Sequence, residues 1–181
     1  MLEALQYEGP MGTLVLATAA DALVWCDWAN NPRHARHRKQ LEAQYHASVV
    51  FRSNPLLERA CQQLAQYFEG SRKQFELPLE FRGGTDFQQR VWKALTEIPF
   101  GSTTSYGMLS AQLGQTEAVR AVAAANAANR FMIIVPCHRV VAANGTLHGY
   151  AGGLSVKQGL LAHEGARPLE VQQWGYRLFE D

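Results

Sequence analysis

The rhythm of apolar and polar positions changes near residue 83. Before it, apolar residues fall in short stretches of strand length. Residues 13–17 and 22–27 read as strands joined by a turn at Ala19-Ala20-Asp21, and a third strand runs from near Ala47 to Phe51. Asn54-Pro55 supplies a cap and a proline at the first helical position. Leu57, Cys61, Leu64 and Phe68 then recur at helical spacing until Gly70. Residues 75–81 alternate, but Pro78 restricts them to an edge or an irregular segment. After the linker Arg82-Gly83-Gly84 the period lengthens. Thr85 opens a helix with a capping box to Gln88 and an apolar stripe of Phe87, Val91 and Leu95. Residues 105–113, the tight turn Gly114-Gln115 and residues 116 to about 126 predict a helix-turn-helix. Asn144-Gly145 opens a glycine-rich loop reaching Gly153, and residues 155–163 form a closing helix with Val156, Leu160 and Leu161 inward.

The expected class is therefore α+β. A small α/β domain spans 1–82, a mostly helical domain 83–165 and a tail 166–181. Trp174, Tyr176, Leu178 and Phe179 predict that part of the tail packs on the body.

A chain of 181 residues suits one or two compact domains. Hydrophobic content of 47% and charge of 18% exclude a disordered or fibrous chain. No apolar run approaches the roughly 20 residues of a membrane span. The N-terminus lacks the basic and apolar regions of a secretory signal. Three widely spaced cysteines form no disulfide framework and fit a reducing cytoplasm. Cys26 and Cys61 lack a CxxC-like partner and read as buried apolar thiols, so no metal is expected, and no motif asks for a cofactor. Net charge is only +1, and +2 over residues 85–165, so any nucleic acid would be held modestly and with moderate salt sensitivity. The basic run from Arg33 to Lys39 reads as a solvated loop or helix start.

Chemistry concentrates at Pro136-Cys137-His138-Arg139-Val140. The apolar run Phe131-Met132-Ile133-Ile134-Val135 is a buried segment that delivers a thiol onto a turn stiffened by Pro136. A thiol beside an imidazole can be deprotonated, and the thiolate is the nucleophile. The helix over residues 116–126 is unusual in another way. Between Ala118 and Ala128 it carries seven alanines and one arginine, Arg120. A major-groove reader needs Arg, Asn or Gln on base edges. An alanine-covered helix instead permits close, sequence-independent docking.

These blocks, with Thr85-Asp86-Phe87-Gln88-Gln89-Arg90-Val91-Trp92, Ile98-Pro99-Phe100-Gly101, Ser105-Tyr106, Arg120-Ala121-Val122, Gly149-Tyr150-Ala151-Gly152-Gly153-Leu154 and Leu161-Ala162-His163-Glu164-Gly165, resemble the O6-alkylguanine-DNA alkyltransferase family in order and spacing. The resemblance covers residues 85–165 closely. It implies a ribonuclease H-like N-terminal domain followed by a winged helix-turn-helix domain. The implied activity is direct-reversal repair: the alkyl group of O6-alkylguanine, and of O4-alkylthymine, passes irreversibly to Cys137 in a single turnover. The implied partner is double-stranded DNA, bound through the minor groove with low sequence specificity by a monomer; cooperativity on DNA stays open.

By the same resemblance Glu164 holds His138, which acts on Cys137 through a water. Asn129 fixes the turn carrying the cysteine. Tyr106 assists rotation of the target phosphate or bonds the base. Arg120 enters the base stack, flanked by Ala121 and Ala124 against DNA; a phosphate contact is its plainer alternative. The carbonyls of Cys137 and Val140 meet the exocyclic amine of guanine, and the amide of Ala151 meets O6. Gly152 completes the wall with Tyr150, which reads equally as a core aromatic. Two places depart from the family pattern: Arg130-Phe131-Met132 stands where proline usually follows the asparagine, and Ala123 replaces a glycine. Met132 is expected on the alkyl side of the pocket, favouring methyl over benzyl groups. Two rival classes remain, a lesion sensor that only binds DNA and a cysteine hydrolase of another kind; loss of the alkyl group to the protein separates them.

Overall fold

The computed structural model of the chain describes residues 1–168, so the expected packing of the tail beyond Pro168 lies outside the described residues. Two compact units emerge. Among the described residues, the first comprises residues 1–85 together with 130–134, and the second comprises 86–129 and 135–168. The boundary expected after Arg82 thus falls at Thr85. The five residues from Arg130 to Ile134, expected with the second domain, belong to the first.

The N-terminal unit is a four-stranded sheet in the order β3-β2-β1-β4. Strands β1 (Leu2–Gly9), β2 (Gly12–Ala19) and β3 (Ala22–Trp28) form an antiparallel meander, and β4 (Val49–Phe51) runs parallel to β1. Strands β2 and β3 are buried almost throughout because helices cover both sides of the sheet, which is why their sequence lacks a clean alternation. On one side Val15, Ala17, Trp25 and Val49 pack with Leu41 of α1 (His34–Tyr45). On the other, Leu14, Leu16, Leu23 and Trp28 are buried beneath α2 (Pro55–Phe68). Helix α2 begins as its sequence predicts: the Asn54 side chain accepts the Leu57 amide at 2.9 Å, a cap worth about 1 kcal/mol.

Helix α1 starts within the basic run Arg33–Lys39, the helix-start alternative of its reading, and the run is only partly solvated. Its inward face carries His37 and Leu41, and His37 Nδ1 bonds the buried carboxylate of Asp27 at 2.9 Å. Asp27 also accepts from the Asn31 side chain and the Trp28 amide, so the buried carboxyl is well supplied with donors. Residues 75–81 form no strand beyond a single bridge from Leu79 to Leu23. The segment 130–134 extends β3: the Cys26 amide donates to the Arg130 carbonyl at 2.8 Å, and the Met132 amide to the Cys26 carbonyl at 2.7 Å. Phe131 meets Phe81 edge-on at 5.3 Å.

The second unit is mainly helical. Helix α3 (Asp86–Thr96) buries Val91, Trp92, Ala94 and Leu95, and the Trp92 indole donates to the Ala125 carbonyl at 2.9 Å. Strand β5 (Ser102–Ser105) leads into α4 (Tyr106–Gln112), whose cap is the Ser105 hydroxyl accepting the Met108 amide. A turn through Gly114 and one 3-10 turn, Thr116–Ala118, lead into α5 (Val119–Ala127), giving the expected helix-turn-helix. Strands β6 (Val140–Val141) and β7 (Arg167–Pro168) both run parallel to β5, in the order β6-β5-β7. Between β6 and α6 (Leu154–His163) lies the glycine-rich loop in the place of a wing. The inward residues of α6 are Lys157 and Leu160; Val156 and Leu161, expected inside, are only partly covered. Lys157 can take an inner position because its ammonium finds two carbonyls, Val140 at 2.7 Å and His148 at 3.0 Å.

Candidate active site

Cys137 opens a 3-10 turn, Cys137–Arg139, directly after Pro136, and its side chain is buried. The turn is fixed from two sides. The Cys137 amide donates to the Val135 carbonyl at 2.8 Å, and the Asn129 side chain donates to the same carbonyl at 2.9 Å. Asn129 is itself fully buried at the end of the helix-turn-helix, so it ties the cysteine turn to α5.

His138 and Glu164 meet as anticipated. His138 Nε2 lies 2.7 Å from Glu164 Oε1, and both side chains are shut off from solvent. What the sequence did not announce is the rest of the carboxylate's shell. Arg139 donates through Nε to Oε2 at 2.9 Å and through Nη2 to Oε1 at 3.1 Å, a forked pair. The Gly101 amide donates to Oε2 at 3.2 Å. The remaining Arg139 nitrogen donates to the Ile98 carbonyl at 2.6 Å, and its guanidinium lies 5.8 Å from the Phe100 ring centre. The Ile98-Pro99-Phe100-Gly101 block is thus the floor on which Glu164 rests. Glycine is required at its end: Gly101 has φ +77°, and a Cβ there would stand 3.0 Å from the Glu164 carbonyl oxygen.

The electrostatics assign the protons. Burial alone would raise the Glu164 carboxyl, but the hydrogen bonds of His138 and Arg139 and the adjacent positive charge outweigh it, holding it well below the usual carboxylate range. Burial pushes the His138 imidazole down; its bond to Glu164 opposes this, while Arg139 and Lys157 add to it, and the net direction is down. An ionised carboxylate only accepts, so Nε2 carries the hydrogen and Nδ1 keeps its lone pair. Nδ1 is buried and has no hydrogen-bond partner among the described residues.

Around the thiol stand Tyr106 and Lys157. Burial pushes the Tyr106 phenol up, and the neighbouring Cys137 adds to the shift. Burial pushes the Lys157 ammonium down, and Cys137 opposes that. Val140 sits in β6, its carbonyl already accepting from Lys157. The Tyr150 ring faces His138 edge-on at 6.4 Å, and Ala151 and Gly152 follow it, partly exposed. On α5, Arg120, Ala121, Ala124 and Ala127 form one exposed face while Val122, Ala125 and Asn126 point inward. Met132, expected at the pocket, belongs to the N-terminal unit, where it is buried and its carbonyl accepts from the Cys26 thiol at 3.5 Å.

The other two thiols are poor nucleophiles. Burial pushes Cys26 well up, with Asp27 and Cys61 adding, and burial also pushes Cys61 up. Among the described residues no group of three or more His, Cys, Asp or Glu side chains is arranged to hold a metal, and no helix is long and apolar enough to cross a membrane.

Comparison with known proteins decides the family. Residues 6–81 match the ribonuclease-like domain, and residues 86–166 the DNA-binding domain, of 6-O-methylguanine DNA methyltransferase. The constitutive methylated-DNA–protein-cysteine methyltransferase of Bacillus subtilis is 40% identical over 153 residues, 80% of this chain and 84% of that one. The chain belongs to the 6-O-methylguanine DNA methyltransferase family. A second relative, the methylated-DNA–protein-cysteine methyltransferase of Methanosarcina acetivorans, is 39% identical over 88% of this chain and 96% of its own. Among solved structures, the Mycobacterium tuberculosis OGT in complex with DNA is similar, with a TM-score of 0.76 and 37% identity, covering 96% of this chain and 98% of that one. The mixed α+β architecture of this methyltransferase agrees with theirs.

Proposed function

We propose that this methyltransferase repairs DNA by moving the alkyl group of O6-alkylguanine, and of O4-alkylthymine, onto Cys137. What supports this reading most is the state of His138. With Nε2–H committed to Glu164, the Nδ1 lone pair is left free beside the cysteine turn. The two residues are neighbours in sequence, which makes direct contact awkward, so a water relays the thiol proton to Nδ1. The thiolate attacks the alkyl carbon in line. The carbon–O6 bond breaks, its electron pair goes to the guanine, and a proton returns to the base. The product is a thioether that no group here can cleave, so each molecule acts once.

A base in a duplex must first leave the stack, at a cost of a few kcal/mol. Arg120 on the exposed alanine face of α5 takes its place, while Ala121 and Ala124 let the helix approach the minor groove with low sequence specificity. Tyr106, at the first position of α4, assists rotation of the target nucleotide. The flipped base is read by the carbonyls of Cys137 and Val140 and by the amide of Ala151, against Tyr150 and Gly152. The test is Cys137→Ser assayed with alkylated duplex. Transfer should vanish while affinity for the duplex persists; transfer that survives ends the proposal.

A further inference from the structure

Ile133 is β-branched and buried, yet has φ +69°. That region disfavours any side chain and is a true outlier for a branched one. The Ile134 amide donates to the Met132 carbonyl at 2.8 Å, so Ile133 is the centre of a γ-turn of the rare positive-φ kind. Two residues after Ile134 the backbone bends the opposite way. Pro136 has φ −82° and ψ 60°, and the Cys137 amide donates to the Val135 carbonyl, which is the relaxed inverse γ-turn. Among the described residues, the other positive-φ positions outside glycine, Ala20 and His46, occupy a hairpin turn and a helix C-cap, where such angles are ordinary. At Ile133 no cap or hairpin asks for the angle. It is imposed: the backbone just before it is pinned to Cys26 at Arg130 and Met132, and Val135 just after it is pinned by Asn129.

We propose that Ile133 is a positioning residue for alkyl transfer: its buried side chain holds a strained γ-turn that sets the direction in which the chain enters the Pro136–Cys137 turn. The inference rests on Cys137 being the acceptor. Strain of this kind persists only where the surroundings over-determine it, and it gathers at functional sites. Take the side chain away but keep a Cβ, and the turn relaxes to negative φ, rotating the peptide that leads to Val135. Take the Cβ away as well, and positive φ becomes free.

The experiment compares Ile133→Val, Ile133→Ala and Ile133→Gly in single-turnover transfer from methylated duplex. The plateau counts active molecules and the rate constant describes only those, so a partly folded preparation still reports. Ile133→Val should stay within about twofold of the parent. Ile133→Ala should be about tenfold slower, the rate equivalent of an alanine's positive-φ penalty. Ile133→Gly should lie between them, with duplex affinity unchanged in all three. A residue that merely fills the core gives the opposite order, glycine slower than alanine. That order, or equal rates in all variants, overturns the proposal. A Cys137→Ser control that still transfers would instead overturn the acceptor assignment, so the two failures are distinct.

Discussion

Replacing Glu164 with glutamine removes one charge and almost no volume, so it probes the buried ion cluster directly. In the parent, the carboxylate accepts from His138, twice from Arg139 and from the Gly101 amide. A glutamine keeps one acceptor oxygen but turns the other into an NH₂ that faces the Arg139 fork. Arg139 is only 6% exposed, so its guanidinium becomes a buried cation without its anion. Removing one partner of such a pair costs about 3–5 kcal/mol. For a unit of about 100 residues each kcal/mol moves Tm by roughly 4–8 °C, so Glu164→Gln should fall by at least about 12 °C. Thermal unfolding followed by circular dichroism near neutral pH measures this. Adding Arg139→Gln should return part of the loss, because the stranded charge is gone. Transfer in the single variant should slow by about a hundredfold, the lower end of general-base contributions. A Tm within about 2 °C of the parent would refute the reasoning, since the cluster would then carry no buried charge worth compensating.

Asn129→Ala removes a buried bond to the Val135 carbonyl and should cost about 1–3 kcal/mol, with slower transfer at unchanged duplex affinity; an unaltered rate in folded protein contradicts its role in holding the turn. Arg120→Ala should slow repair of duplex strongly and reaction with free O6-benzylguanine little, and equal loss on both would assign Arg120 to the fold. Acid should weaken the protein in two stages, read as the urea midpoint against pH. Burial pushes His138 down, so the unfolded chain binds the extra proton below about pH 6.5; its contribution is complete above that value and lost as pH falls. Glu164 is held low, so its contribution is complete above about pH 4.3 and is lost below, more steeply than in Glu164→Gln. A midpoint that rises on acidification would contradict both signs.

Some of this architecture is written locally and some is not. The Asn54 cap, the Ser105-to-Gln112 turn of helix and the cysteine turn after Pro136 follow from neighbours in sequence, and they were readable. Of helix α1 only a possible start was readable, because its inward stripe is carried by His37 and Leu41 in a strongly basic run, and His37 becomes a core residue only through Asp27 on a distant strand. Strand β1 was missed because its alternation is diluted: Leu2 and Ala4 face in, but Gln6 and Glu8 follow. Glu164 and His138 were found through the resemblance, yet Arg139 as the carboxylate's forked partner is a contact across 25 residues that no local pattern shows. Lys157 sits where apolar spacing predicts Val156, since two carbonyls that the pattern cannot show accept its ammonium. The backbone angle of Ile133 leaves no mark in the apolar run that contains it.

The central claim, that Cys137 alone takes the alkyl group, is tested most directly by intact-protein and peptide mass spectrometry after incubation with excess O6-methylguanine duplex. One methyl group per molecule is predicted, on the peptide containing Cys137, with no further demethylation of DNA once that equivalent is reached. A label on Cys26 or Cys61, or continued turnover by unmodified protein, would contradict it.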